Sequence, residues 1–143
     1  WIQQQFDGGQ TGKKQPEEGL MMQHIEERGR LEQSLIDIAI ESWRFSRLFG
    51  KVVSKLDVGE STRYLNQLRY FQKKVEENLD SNGLNLVNVE GQPYDAGMAA
   101  SALNLGDFGP DDVLHVDQML EPIIMSTNGL RKQGTVMLRK SGQ

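Results

Sequence analysis

The chain of 143 residues contains two histidines and no cysteine, so few of its groups are suited to acid-base, nucleophilic or metal chemistry. His24 sits in the acidic stretch Gln23-His24-Ile25-Glu26-Glu27, with no second histidine at helical spacing to share a metal, and reads as a surface residue. His115 lies between Leu114 and Val116 in an alternating segment, where an outward imidazole beside Asp117 needs no catalytic role. Asp107, Asp111 and Asp112 offer the oxygen ligands a hard cation prefers, but their spacing matches no calcium loop and suits a solvated turn. Neither Gly-x-Ser-x-Gly nor a Gly-Lys-Ser/Thr phosphate loop occurs. Arg44, Arg47, Lys51 and Lys55 recur at threes and fours, which gives a basic stripe that nearby glutamates offset, as on a solvated helix face. The expectation is a chain without catalytic residues, metal or cofactor. An enzyme site completed across a dimer by Asp107, Asp111 and His115 is the opposing reading.

A formal charge of -4 argues against general affinity for nucleic acid, which rests on clustered Lys and Arg neutralising phosphates. No apolar run approaches the ~20 residues of a membrane-spanning helix, and no basic-then-apolar signal peptide is visible. Protein partners and a cytoplasmic location are expected. The chain opens on Trp1 rather than Met, as a fragment would.

The elements that carry these residues follow from periodicity. Residues 1–16 are polar and Gln/Gly-rich and read as a flexible tail in which Trp1 and Phe6 are the apolar exceptions. Pro16 with Glu17-Glu18 marks a helix start, since proline gives up no needed donor there and acidic groups favour the positive end of the dipole. Met21, Ile25, Leu31, Leu35, Ile38 and Phe45 then recur on one helical face over ~30 residues, or ~45 Å. Leu31, Ile38 and Phe45 form a heptad series with Leu35 on a neighbouring track, so a homodimer interface is expected there. The opposing reading packs this stripe on the next helix of the same chain. Gly50 and Leu56 to Gly59 suggest a break, and Tyr64, Leu65, Leu68, Phe71, Val75 and Leu79 mark a second helix closed by Asn82-Gly83.

Beyond Gly83 the period shortens to two. Leu84 to Val89, Val113 to Leu120, Ile123 to Met125 and Thr135 to Leu138 are strand candidates, with a hairpin signal at Asn128-Gly129 and turns, with room for a short helix, over 96–112. The predicted class is α+β: a tail (1–16), a helical dimerisation region (17–83) and a small β-rich domain (84–143).

The stretch from Tyr70 onward, in which a helix ends at Gly83, a strand carries Leu84 and Val87, and a turn carries Pro93-Tyr94-Asp95, resembles the GrpE family of nucleotide-exchange factors. Ile40-Glu41-Ser42-Trp43 is similar to a helix segment of that family, and Gly129 to Leu138 to its last hairpin, with Lys132, Gly134, Val136 and Leu138 at matching positions. Ala96, Ala99 and Ile123-Ile124 depart from the pattern, as in a divergent member. The resemblance implies a homodimeric co-chaperone whose β domains hold open the nucleotide-binding domain of a DnaK-type chaperone, so that ADP leaves faster. It also implies partner contacts at Gln67, Gly129, Arg131, Lys132, Val136 and Leu138, with Val136 and Leu138 equally suited to the core. The alternative is a dimeric adaptor or scaffold whose β domain docks another protein.

Overall fold

The computed structural model describes the backbone of residues 2–142 and the side chains of 16–142. Helix α1 spans Ile2–Val53 and helix α2 spans Val58–Asp80. Six strands follow: β1 (Leu84–Val87), β2 (Ala100–Ala102), β3 (Leu114–Glu121), β4 (Ile123–Ser126), β5 (Gly129–Lys132) and β6 (Gly134–Lys140). The fold is α+β, with two long helices leading into two three-stranded sheets. The described residues form two compact units, Trp1–Leu35 and Ile36–Gln143.

In the first unit the backbone is helical from Ile2, through the segment expected to be a tail, and Pro16 lies inside the helix instead of at its start. The Gln, Glu and Lys residues on either side are good helix formers, which favours continuation in spite of the donor that proline lacks. Trp1 and the side chain of Phe6 lie outside the described residues.

In the second unit α1 passes Gly50 and ends at Val53. A Cβ at Gly50 would stand 3.9 Å from Leu68 Cδ2, so α2 approaches α1 closely at this point. The helix break is confined to residues 54–57, and Asp57 caps α2 by accepting a hydrogen bond from the Glu60 amide at 2.9 Å. At the far end Gly83 takes φ +73, a conformation glycine adopts without strain. The chain thereby turns into β1, and Leu79 and Leu84 are both buried beside the turn.

One sheet has the order β1-β4-β5, antiparallel throughout. The other has the order β2-β6-β3, with β2 parallel and β3 antiparallel to β6. Residues 96–112, expected to be turns with room for a short helix, contain a short 3-10 helix at Leu105–Asp107 and also the unexpected strand β2. The core of the β domain is Val89, Ala100, Val116, Met119, Ile123, Val136 and Leu138, with Trp43 of α1, Leu86, Tyr94 and Phe108 against it. At the entry to β6, Gly134 fills a slot that a side chain would overfill: a Cβ there would lie 2.7 Å from Ile123 Cγ1 and 3.1 Å from the Glu121 carbonyl oxygen.

Candidate partner-binding surface

One turn of α1 fastens the helix to the β domain. Trp43 donates its indole Nε1–H to the Met119 carbonyl at 2.6 Å while its ring packs on the core. Arg44 pairs with Glu121 at 2.6 Å. Arg47 pairs with Glu90 at 2.9 Å and donates to Gln118 Oε1 at 3.1 Å, and the same Glu90 oxygen accepts the Met119 amide at 2.9 Å. The basic stripe expected to be a solvated face is therefore partly a set of anchors. Its carboxylate partners were invisible to local pattern because they lie 43 and 77 residues along the chain.

Glu121 is the hub of this contact. Burial pushes its carboxyl upward, but the hydrogen bond from Thr135 and the charges of Lys132 and Arg44 outweigh it and hold the pKa below the ordinary glutamate value. Thr135 Oγ1 lies 3.0 Å and Lys132 Nζ 3.8 Å from Glu121 Oε1.

The expected contact residues separate into groups. Val136 and Leu138 are core residues, 0% and 4% exposed, and present no surface to a partner, because β6 is the central strand and both side chains face inward. Lys132 is half-buried, held by Glu121 and by the Gln133 carbonyl at 2.7 Å. Arg131 is exposed on β5 beside Leu130, which is 49% exposed, and Gly129 takes φ +120 at the hairpin turn. Gln67 is exposed on α2, and the sheet contacts do not bring it together with the hairpin.

The helical faces of the second unit carry several exposed large apolar side chains. Ile38, Phe45, Leu48 and Val52 of α1 are all more than half exposed. Phe45 stacks on Phe49 with centroids 6.0 Å apart, and Phe49 meets the edge of Tyr64 at 6.5 Å. Ile38, Phe45 and Phe71 line a shallow groove between α1 and α2. Leu35 is half-buried, and Leu31, in the first unit, is exposed. A stripe of this kind on two neighbouring helices, left uncovered by its own chain, suits burial against another protein surface.

The residues first weighed for chemistry have structural partners or lie at the surface. His24 is exposed. His115 Nδ1 is 2.7 Å from the Ser141 hydroxyl at the end of β6. Asp112 accepts the Gly109 amide at 2.7 Å and lies 3.7 Å from Lys140, so the acidic loop closes its own turn. No group of three or more potential metal ligands occurs among the described residues, and no helix among them is long and apolar enough to cross a membrane.

Compared with protein-family models, curated proteins and solved structures, the chain matches none.

Proposed function

We propose that the protein is a homodimeric co-chaperone that accelerates ADP release from a DnaK-type chaperone by binding its nucleotide-binding domain in the open state. The observation that carries this reading is the anchored β domain. Trp43, Arg44 and Arg47 tie it to a helix whose opposite side is an uncovered apolar stripe. Such a chain has one face suited to self-association and a second face on the anchored domain, the β4–β5 hairpin with Leu130 and Arg131, suited to a partner. The resemblance of residues 70–95 and 129–138 to the GrpE family supplies the identity of that partner.

No catalytic side chain is needed. A protein that binds the open form of a chaperone domain more tightly than the closed form shifts the population by the ratio of the two affinities. Converting a rare open state to a dominant one takes ~5 kcal/mol of differential binding. An anchored domain is suited to this, because a loosely hung one would follow the closing motion. A DnaK-type partner places the activity in the cytoplasm.

The test is the release rate of a fluorescent ADP analogue from the DnaK-type chaperone of the same organism. Acceleration of tenfold or more, lost in Arg131→Glu, is the expected result. A folded dimer that leaves the rate unchanged overturns the proposal in favour of a dimeric adaptor.

A further inference from the structure

The charges beside the exposed stripe of α1 have an internal symmetry. At 3.6 residues per turn, Asp37, Glu41, Lys51 and Lys55 fall along one edge of the stripe formed by Ile38, Phe45, Leu48 and Val52. All four are exposed. The two acids come first and the two bases last, and both Asp37 with Lys55 and Glu41 with Lys51 are centred on residue 46. Neither ammonium is in an ion pair among the described residues. Glu41 accepts from Arg44 at 2.9 Å, yet its side chain stays 69% exposed, and Arg44 has a second carboxylate at Glu121. Lys55 belongs to the turn that closes α1, where its amide donates to the Val52 carbonyl at 3.1 Å.

Within one chain these opposite charges stand ~15 Å (Glu41 and Lys51) and ~27 Å (Asp37 and Lys55) apart along the helix, too far to pair. A second copy running the opposite way brings them together. A twofold axis across α1 at residue 46 sets Asp37 against the partner's Lys55 and Glu41 against the partner's Lys51, and symmetry makes each pair twice. It also lays Ile38 near the partner's Val52 and Phe45 beside the partner's Phe45. Antiparallel helices put the same edge of each stripe face to face, whereas parallel helices put opposite edges together. The opposite edge here holds Ser42 and Phe49, with Phe71 and Tyr64 of α2 beyond them. None of these is charged, so parallel pairing leaves the charged edge without a complement.

We infer that the Ile38–Val52 face of α1 docks a second copy of the chain in antiparallel orientation. The inference rests on the homodimer proposed above and adds its direction and register. The apolar stripe supplies an attraction indifferent to direction, and the charges select between directions. Exposed ion pairs are weak singly and screened by salt, so the selection comes from four acting together.

The chain has no cysteine, so introduced ones report the orientation in the full-length chain. A disulfide needs Cα atoms within ~7 Å. In a glutathione redox buffer, Glu41→Cys/Lys51→Cys is expected to give a covalent dimer, while either substitution alone gives none because the two copies of that position stand ~15 Å apart. Ile38→Cys should also give none, since its copies are ~24 Å apart in this register but meet in a parallel pair. Independently, Asp37→Lys/Glu41→Lys is expected to raise the dimer dissociation constant measured by sedimentation at least tenfold, and adding Lys51→Glu/Lys55→Glu to return it to within threefold. A covalent dimer from Ile38→Cys with none from the double variant overturns the antiparallel inference and leaves the co-chaperone reading standing. A dimer that forms neither cross-link, or a charge reversal that the second pair fails to rescue, overturns the inference alone. A chain that sediments only as a monomer overturns both. An antiparallel dimer that leaves ADP release unchanged upholds the inference and removes the co-chaperone reading instead.

Discussion

Replacing Trp43 with phenylalanine tests how the β domain is held. Phenylalanine keeps an aromatic ring against the core but removes the donor that meets the Met119 carbonyl at 2.6 Å. The direct loss is that of a neutral hydrogen bond, ~0.5–1.5 kcal/mol, and leaving the acceptor without a partner adds ~1–3 kcal/mol. Met119 is 0% exposed, so water does not readily replace the indole. The smaller ring leaves a void whose lining adds ~24 cal/mol per Å³ unless the site collapses. Trp43 is only half-buried, which places the sum in the lower part of these ranges, at about 2–3 kcal/mol. With a urea slope of ~2 kcal/mol/M, the unfolding midpoint falls by ~1–1.5 M. Urea unfolding followed by far-ultraviolet circular dichroism measures this directly. A midpoint within ~0.3 M of the original at unchanged slope would show that the indole does not fasten the domain. Exchange activity that survived intact in a destabilised Trp43→Phe would separate the anchor from the proposed function.

Three further perturbations have defined outcomes. Gly134→Ala places a Cβ 2.7 Å from Ile123 Cγ1 and should destabilise by ~1–3 kcal/mol, a cost that shrinks in an Ile123→Ala background; a neutral effect in thermal unfolding contradicts the described slot. The folded state holds the Glu121 pKa down, so its stabilisation is complete above the ordinary glutamate range and is lost as pH falls through the depressed folded value. Glu121→Gln should therefore flatten the acid limb of a stability-versus-pH curve, and an unchanged limb argues against the Arg44, Lys132 and Thr135 contacts. Phe45→Asp, on the exposed stripe, is expected to shift the mass measured by sedimentation from dimer to monomer while leaving the β domain folded; an unaltered mass would place the stripe outside the proposed dimer interface.

Local pattern foretold the elements that are defined locally. The alternating runs at Leu84 and Val113, the short apolar run at Ile123, the Asn128-Gly129 turn and the Gly83 stop all correspond to elements or turns of the fold. β2 escaped notice because Ala100-Ser101-Ala102 is three residues long and has no β-branched or large apolar side chain; it is held as a strand by β6, which runs parallel beside it. β5 was absorbed into its hairpin. Gly50 looked like a break, but one glycine inside a helix costs only about 1 kcal/mol, and α1 runs through it to Val53. The limit that hid β2 applies to the surface: Arg44 and Arg47 looked solvated until Glu121 and Glu90 were brought to them. Val136 and Leu138 could be ascribed equally to core or contact, because which side of β6 is covered depends on both of its neighbours.

The central position of β6 has a consequence for synthesis. It is the latest strand in chain order among the described residues, yet β2 and β3 are both paired to it and not to each other. On the ribosome the helices are able to form from contacts close in sequence as soon as they emerge. The β2-β6-β3 sheet waits for residues 134–140, and until then β2 and β3 offer unpaired edges to the surroundings. A nascent chain stalled just short of Gly134 would hold formed helices beside a β domain that is still open. The interval of greatest exposure to misassembly therefore falls just before β6 emerges.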